Sequence, residues 1–493
     1  MARLLASGRP RPAALLAVAA LALCPRLCPA DVVCIDDDNQ TGVYDGTPLH
    51  PFSDIAPAIA AAVSGDELRI AAGVYPGNLL VDTKALNLLG GYPGGTASGY
   101  AGGIAGEFGT QDPVAQVTHL QGDGSAAVIR FRRVGGVDGS TVVDGLRITG
   151  GTSGILFDDE YPSGEFRDFV ISRNLIEENG HHDPAYGHRG GGIAVDGSCI
   201  RISDNTIRNN TADTGAGIGG AADTLLVENN VIEGNIGFGD HGGGLWLGGE
   251  GTLAHNLIHA NVIGDLAGYG WGGGVLVVGR WVIVGNTISG NTAPSLGGGL
   301  FIDEGAEAWV DHNLIVENAT LTEWVKGGAG VYVDGAWDGT PSSAHLTSCT
   351  IADNASPGTN GGNGIYVEYS DVDVSGCIFW GNEGGDDFYL DPSSTLTVVH
   401  SLSEEPIAGA GNQSADPLFA DPPTCDYHLK SLVGRWDPGL TAWVADDEHS
   451  PAIDAGDPAA AYSAEPSPNG GRRNAGAYGN TPEASRSCVV FEW

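Results

Sequence analysis

Between residues 174 and 400, apolar and polar residues alternate in short bursts closed by glycine or asparagine. The clearest stretch reads Gly242-Gly243-Gly244-Leu245-Trp246-Leu247-Gly248-Gly249, Glu250, Gly251-Thr252-Leu253-Ala254-His255-Asn256, then Leu257-Ile258-His259-Ala260-Asn261. Alternation at period two in runs this short predicts strands, not helices. Three strands are expected per unit: one over Gly-Gly-Gly-Leu-x-Leu, one ending at the first Asn, and one from Leu-Ile to the second Asn. The phrase Asn-x-Ile-x-x-Asn begins at Asn174, Asn205, Asn230, Asn256, Asn286 and Asn313, and Cys349 and Cys377 open two further copies. The starts lie 25 to 36 residues apart. A period in that range marks a solenoid in which each phrase is one rung of a stack.

The first Asn falls at a sharp bend between the second and third strands. Asn tolerates left-handed backbone angles, and its amide is placed to bond the identical Asn one rung away. Stacked amides of this kind form ladders, so this column reads as scaffold. The Gly-Gly-Gly runs read as tight entries into the first strand. None leads into a helix, so they are not phosphate loops.

These residues resemble the right-handed parallel β-helix of the pectin-lyase-like superfamily, over roughly residues 115–400. The expected fold is all-β, a right-handed parallel β-helix with a helical amino-terminal cap and an irregular carboxyl-terminal cap. The chain divides into a leader (1–30), a cap with the first rungs (31–114), the β-helix (115–410) and a tail module (411–493). Ile55-Ala56-Pro57-Ala58-Ile59-Ala60-Ala61-Ala62-Val63 is the helical pattern expected to cover the first rung. Ala415-Asp416-Pro417-Leu418-Phe419 and Ser450-Pro451-Ala452-Ile453-Asp454-Ala455-Gly456-Asp457 make the tail similar to that of secreted β-helix proteins of the choice-of-anchor type. It reads as a folded cap or as a wall-contact module, the cap being favoured.

Composition narrows the partners. The 493 residues carry a formal charge of −39, and Lys84, Lys326 and Lys430 are the only lysines. Such a field repels nucleic acid, anionic membranes and polyanionic sugars, the last unless a divalent cation intervenes. Residues 1–30 combine Arg3, Arg9 and Arg11, an apolar run from Ala13 to Leu23 and a Cys28-Pro29-Ala30 cleavage pattern. That order reads as a secretory signal, too short to span a membrane, and no other candidate span is read in the sequence. The expected location is therefore extracellular or cell-surface. Cys349 and Cys377 share one phase of consecutive rungs and read as two buried thiols, while Cys425 and Cys488 are candidates for a staple of the tail. The pattern carries no reading of oligomeric state.

Phase then locates candidate chemistry. With the residue after Gly-Gly-Gly inward, the next position points out: Trp246, Leu276, Phe301, Tyr332 and Tyr366, continued by Tyr389. Two residues on lie Asp303, Asp334, Glu368 and Asp391. Stacking predicts an aromatic stripe beside a carboxylate stripe at ~4.8 Å spacing. Aromatic faces stack on sugars, and carboxylates bond hydroxyls or Ca²⁺. Crowded carboxylates raise one another's pKa, the condition for acid and base side by side. Alternatively, the rings stack on each other and the acids confer solubility. The loops before Gly-Gly-Gly overhang this face with His188, Arg189, Asp213, Asp240, His241, Tyr269, Trp271, Trp324 and Lys326. In pectin-lyase-like enzymes the cleft lies here, with Ca²⁺ held by acids and a basic residue as proton acceptor.

That resemblance implies Asp303, Asp334, Glu368, Arg189 and Lys326 as catalytic candidates. It implies Trp246, Trp271, Phe301, Tyr332, Tyr366, Tyr389 and His241 as substrate-binding candidates. Asp303, Asp334, Glu368 and Asp391 are the candidate calcium ligands. His181, His182 and Asp183 form an alternative metal cluster. Arg130 and Arg132 either hold a substrate carboxylate or pair with surface acids. The tight Asn-Thr-Asp, Asp-Asp and His-Gly set of polygalacturonase-like hydrolases and the basic motifs of pectate lyases do not occur. Two functions remain: a polysaccharide or cell-wall-glycan binder with lyase or hydrolase activity, or a non-catalytic structural or adhesive surface protein.

Overall fold

The computed structural model describes residues 31–39, 41–95, 107–132, 140–158, 167–181, 188–264, 269–322, 327–357 and 361–487. The leader, Arg133, His182, Asp183, Trp324, Lys326 and Cys488 lie outside the described residues. Within the stack, strands pair in parallel and in register from rung to rung, as in Val275–Leu300–Val331–Ile365–Phe388. The result is the right-handed parallel β-helix that the repeat predicts.

One feature differs from three separate strands. In the middle rungs the first and second strands fuse into single bent strands, such as Ile193–Ser203, Leu245–Ala254 and Leu300–Asp311. Register shifts mark the bend, for example between Val278 and Arg280. The bend survives inside a continuous ladder because bulges absorb an extra residue without breaking flanking pairs. The first two sheets therefore merge into one of 19 strands, beside a third sheet of 12 strands and a small overhanging sheet of 5.

The interior is built from in-register columns. Ile148, Ile176, Ile207, Ile232, Ile258, Ile288, Ile315, Ile351 and Phe379 form the third-sheet column, all fully buried. Phe131, Phe157 and Phe169 pack together at centroid distances of 4.7–5.7 Å.

The Asn column is a hydrogen-bonded ladder. From Asn174 through Asn313, each side-chain Nδ2 donates to the next Asn Oδ1 at 2.9–3.0 Å. Beyond Asn313 the Cys349 N–H meets Cys377 Sγ (3.3 Å), the Cys377 N–H meets Ser401 Oγ (3.1 Å), and the Ser401 N–H meets Asn412 Oδ1 (3.1 Å). Cys349 and Cys377 are buried free thiols. The left-handed residue, however, is the one before the ladder position: Arg173, Asp204, Asn229, His255, His312, Ser348 and His400 all have φ between 49° and 59°. That residue makes the turn, and the next one is left to point its amide into the stack. A second ladder joins Asn179 through Asn382 at the far end of the third strand, at 2.9–3.1 Å.

At the amino end, Ile55–Ala61 is a helix capped by the Asp54 carboxylate, with Ile55, Ala58 and Ile59 buried. Lys84 Nζ donates to the carbonyls of Ile59 and Ala60 (2.8 and 3.0 Å), holding the end where the helix dipole is negative. The tail lies along the outer flank of the third sheet. There Phe419, Tyr427, Leu429, Ile453 and Ala477 bury Leu314, Val316, Ile378 and Leu402. Gly476 N–H to Gly376 O (2.8 Å) and Tyr427 Oη–H to the Asp353 carboxylate (2.8 Å) fasten it. Cys425 is a free thiol facing Glu317 at 3.8 Å.

Candidate functional site

The outward aromatic column exists as a set of neighbours but is not an open stripe. Phe301, Tyr332 and Tyr366 are at most 2% exposed and Leu276 is fully buried, in a cluster separate from the interior core. Tyr332 and Tyr366 stack at 4.8 Å, and Tyr366 and Tyr389 at 4.1 Å. Rings one strand spacing apart fill each other's faces and leave no room for a sugar between them. Trp271 and Leu296 pack beside them. The expectation that Phe301, Tyr332 and Tyr366 contact substrate is therefore corrected: they pack the sheet. Trp246, Trp271 and Tyr389 stay half-buried.

The acid column divides in the same way. Glu368 is 7% exposed and accepts the Tyr332 hydroxyl at 2.6 Å. That buried pairing, with burial as the larger cause, pushes the Tyr332 phenol far above its ordinary pKa. Asp391 caps its own turn through Ser393 N–H at 2.9 Å. Among the described residues no group of three His, Cys, Asp or Glu is arranged to hold a metal ion. Arg130 pairs with Asp158, and Arg132 with Asp82 at 2.7 Å, which is the surface-pairing alternative.

One place does gather chemistry. A cleft of about 150 Å³ is lined by Arg189, Thr214, His241, Trp246, Leu276, Val278, Asp303 and Glu304. Two columns meet there. Arg189, Thr214, His241, Trp271 and Leu296 belong to the overhanging segments, where Arg189 bridges Thr214 and His241 bridges Trp271. Trp246 and Leu276 come from the sheet, where Gly219 pairs with Trp246. A Cβ at Gly219 would lie 2.7 Å from Gly190 N and 2.8 Å from Thr214 O. Its missing side chain lets the overhang lie directly on the sheet, which brings the Arg189 guanidinium over the Trp246 ring at 4.6 Å. His241 meets Trp271 edge-on at 4.8 Å.

Burial dominates the electrostatics. It lifts the Asp303 carboxyl to about 7, opposed by the Glu304 N–H bond (2.7 Å) and reinforced by Asp334 and Glu304. Burial also lowers His241, opposed by Asp240 and Glu304, with Arg189 adding to the fall. The cleft thus holds a guanidinium on an indole face, an imidazole favouring its neutral form, and a carboxyl that exchanges its proton near neutrality. Of the expected catalytic residues, Arg189 and Asp303 come together here, and Asp334 stands beside Asp303 on the next rung.

A larger groove, about 880 Å³, escaped the sequence reading. Pro93, Gln111, Asp112, Pro113, Arg173 and Asp204 are among its lining. Arg173 is held there by Asp144 and by Gln111 Oε1 at 2.9 Å. No periodic signal marks it, because its walls come from the aperiodic segment 107–116 laid across the first Asn turns.

Residues 216–402 match a family described as right handed beta helix region, and residues 403–456 one described as disaggregatase related. The chain is a right-handed parallel β-helix repeat protein. Among solved structures it is similar to XylC in complex with xylose (10% identity, TM-score 0.37, covering 79% of this chain and 87% of that chain). It is similar to pectate lyase Pel9A (12% identity, TM-score 0.37, 93% and 98%). A third similar structure is the catalytic unit of a thermostable GH87 α-1,3-glucanase from Streptomyces thermodiastaticus strain HF3-3 (14% identity, TM-score 0.34, 79% and 70%). No curated protein matches the chain in sequence.

Proposed function

We propose that this protein binds a polysaccharide in the Arg189–Trp246–Asp303 cleft and cleaves it by acid–base chemistry. The observation that carries the reading is the convergence there of Arg189, His241, Trp246 and Asp303 from three separate rungs. The solvent-facing edge of the half-buried Trp246 indole, beside the Arg189 guanidinium, offers an apolar contact to a pyranose, and Arg189 and His241 offer donors to its hydroxyls. Asp303, near 7, supplies a proton to the departing glycosidic oxygen at neutral pH. Asp334 stands one rung on, at a strand spacing of ~4.8 Å. That is close to the ~5–5.5 Å separation of carboxyls in retaining glycosidases, so Asp334 takes the nucleophile's role.

A glycan array spanning neutral and uronate polymers, followed by product analysis, tests this. Trp246→Ala is expected to abolish binding, and Asp303→Asn to keep binding and lose cleavage. Failure of the wild type to bind any glycan refutes the proposal. Binding without cleavage leaves a non-catalytic adhesive surface protein, the reading favoured by the buried, self-stacked ring column. We also propose that the protein acts outside the cell or at its surface. The basic, apolar and small-residue order of residues 1–30 and the charge of −39 support this. Mass spectrometry of the exported chain, expected to begin at Asp31, tests it.

A further inference from the structure

The edge of the first sheet opposite the overhanging segments carries two aromatics that the packing leaves in solvent. Trp337 is 99% exposed and Tyr369 54% exposed. Trp337 sits on a tight turn that follows the strand Val331–Asp334. The turn closes on itself: Ala336 N–H donates to Thr340 O (2.8 Å), Gly339 N–H to Ala336 O (2.9 Å), and Thr340 N–H to the Asp338 carboxylate (2.9 Å). Gly335 N–H anchors its base to Glu368 O at 3.2 Å. The indole is thus held out by backbone geometry, with its own surface left to water.

The two aromatics are neighbours. Asp334 pairs with Glu368, which sets Gly335 against Tyr369. A Cβ at Gly335 would lie 2.4 Å from Tyr369 O and 2.9 Å from Tyr369 Cβ. Glycine is required there because the Trp337 turn rises directly beside Tyr369. On the preceding rung the same edge position is Glu304, since Ile302 pairs with Val333. Glu304 also lines the Arg189–Asp303 cleft. Glu304, the Trp337 turn and Tyr369 therefore follow one another on consecutive rungs, leading out of the cleft along the stack.

We infer that Trp337 and Tyr369 form a platform that holds the continuation of an uncharged polysaccharide chain whose first unit occupies the cleft. The inference rests on the proposed function of that cleft. Exposed aromatic faces suit the C–H faces of pyranose rings, and the acids beside them suit hydroxyls. The carboxylates Glu304, Asp334 and Asp338 border the edge in a protein of net charge −39, so a uronate polymer is repelled.

The test is calorimetric binding of xylan-, glucan- and mannan-derived oligosaccharides, from monosaccharide to hexasaccharide, to the full chain and to Trp337→Ala, Tyr369→Ala and the double variant. Each single variant is expected to raise the hexasaccharide Kd about threefold to tenfold. Monosaccharide Kd and melting temperature should stay at wild-type values, and Trp337→Phe should recover most of the affinity. A wild type that binds sugars while the double variant binds hexasaccharide equally well overturns the platform alone. A wild type that binds none of them overturns the cleft reading and the platform with it. Tighter binding of oligogalacturonate than of every neutral chain overturns the assignment to an uncharged polymer.

Discussion

Replacing Asn256 tests the scaffold most directly. Its side chain is 2% exposed and makes five hydrogen bonds. Nδ2 donates to Val227 O, Ala254 O and Asn286 Oδ1 at 2.9–3.0 Å, and Oδ1 accepts from Asn230 N and Nδ2 at 2.9 and 3.0 Å. Asn256→Ala strips the Asn230 backbone N–H of its ladder acceptor in a buried turn. A buried donor left unpaired costs about 1–3 kcal/mol, and each further lost bond about 0.5–1.5 kcal/mol. Neighbouring carbonyls keep some partners, so the expected net loss is about 3–5 kcal/mol. Asn256→Ser should cost about half as much, because a hydroxyl already accepts the rung N–H at Ser401. Asn256→Asp should be worst, since it removes both donors and faces a buried charge toward carbonyl oxygens. Guanidinium melts followed by circular dichroism rank the three, and hydrogen exchange over the strands flanking residue 256 reports local opening if the stack does not unfold as one unit. An Asn256→Ala protein within about 0.5 kcal/mol of wild type, or an Asp variant more stable than the Ala variant, refutes the ladder's role.

Tyr332→Ala should lower stability by about 3–5 kcal/mol and Tyr332→Phe by about 1–3 kcal/mol, with monosaccharide affinity unchanged in both; lost affinity at unchanged stability returns the column to the binding surface. Asp303 binds its proton more tightly folded than unfolded, so wild type should lose stability relative to Asp303→Asn as pH rises from about 4 through 7; a difference independent of pH contradicts its burial. Arg435 is 8% exposed and holds Asp426 at 3.0 Å and Asp446 at 3.3 Å. Arg435→Ala leaves those acids facing each other and should loosen the tail by about 3–5 kcal/mol, seen as faster limited proteolysis within residues 417–487 while the stack stays resistant.

The fold was legible where local constraints repeat. From Asn174 to Asn318, Asn-x-Ile-x-x-Asn places an inward amide, an inward aliphatic and a second inward amide in each copy, and stacking turns each into a column. The second ladder was present in the same letters, as the closing Asn of each phrase. The left-handed position was misplaced onto Asn256 and its equivalents because the preceding residue varies among Arg173, Asp204 and His255 and carries no common letter. The candidate site was legible in part. Phase separated Asp303 from the core, but phase reports direction and not coverage, so Tyr332 and Tyr366 pointed outward and were still buried.

The sequence by itself determined the period, the parallel stacking and the amide ladder, because these follow from residues repeated at one phase. Only the tertiary structure decided which outward residues meet solvent, that Arg189 lies on Trp246, and that the tail flanks the third sheet. Those contacts come from segments of unequal length between the phrases. Their side chains are brought together by the path of the backbone over the sheet, and a contact made that way leaves no period to read.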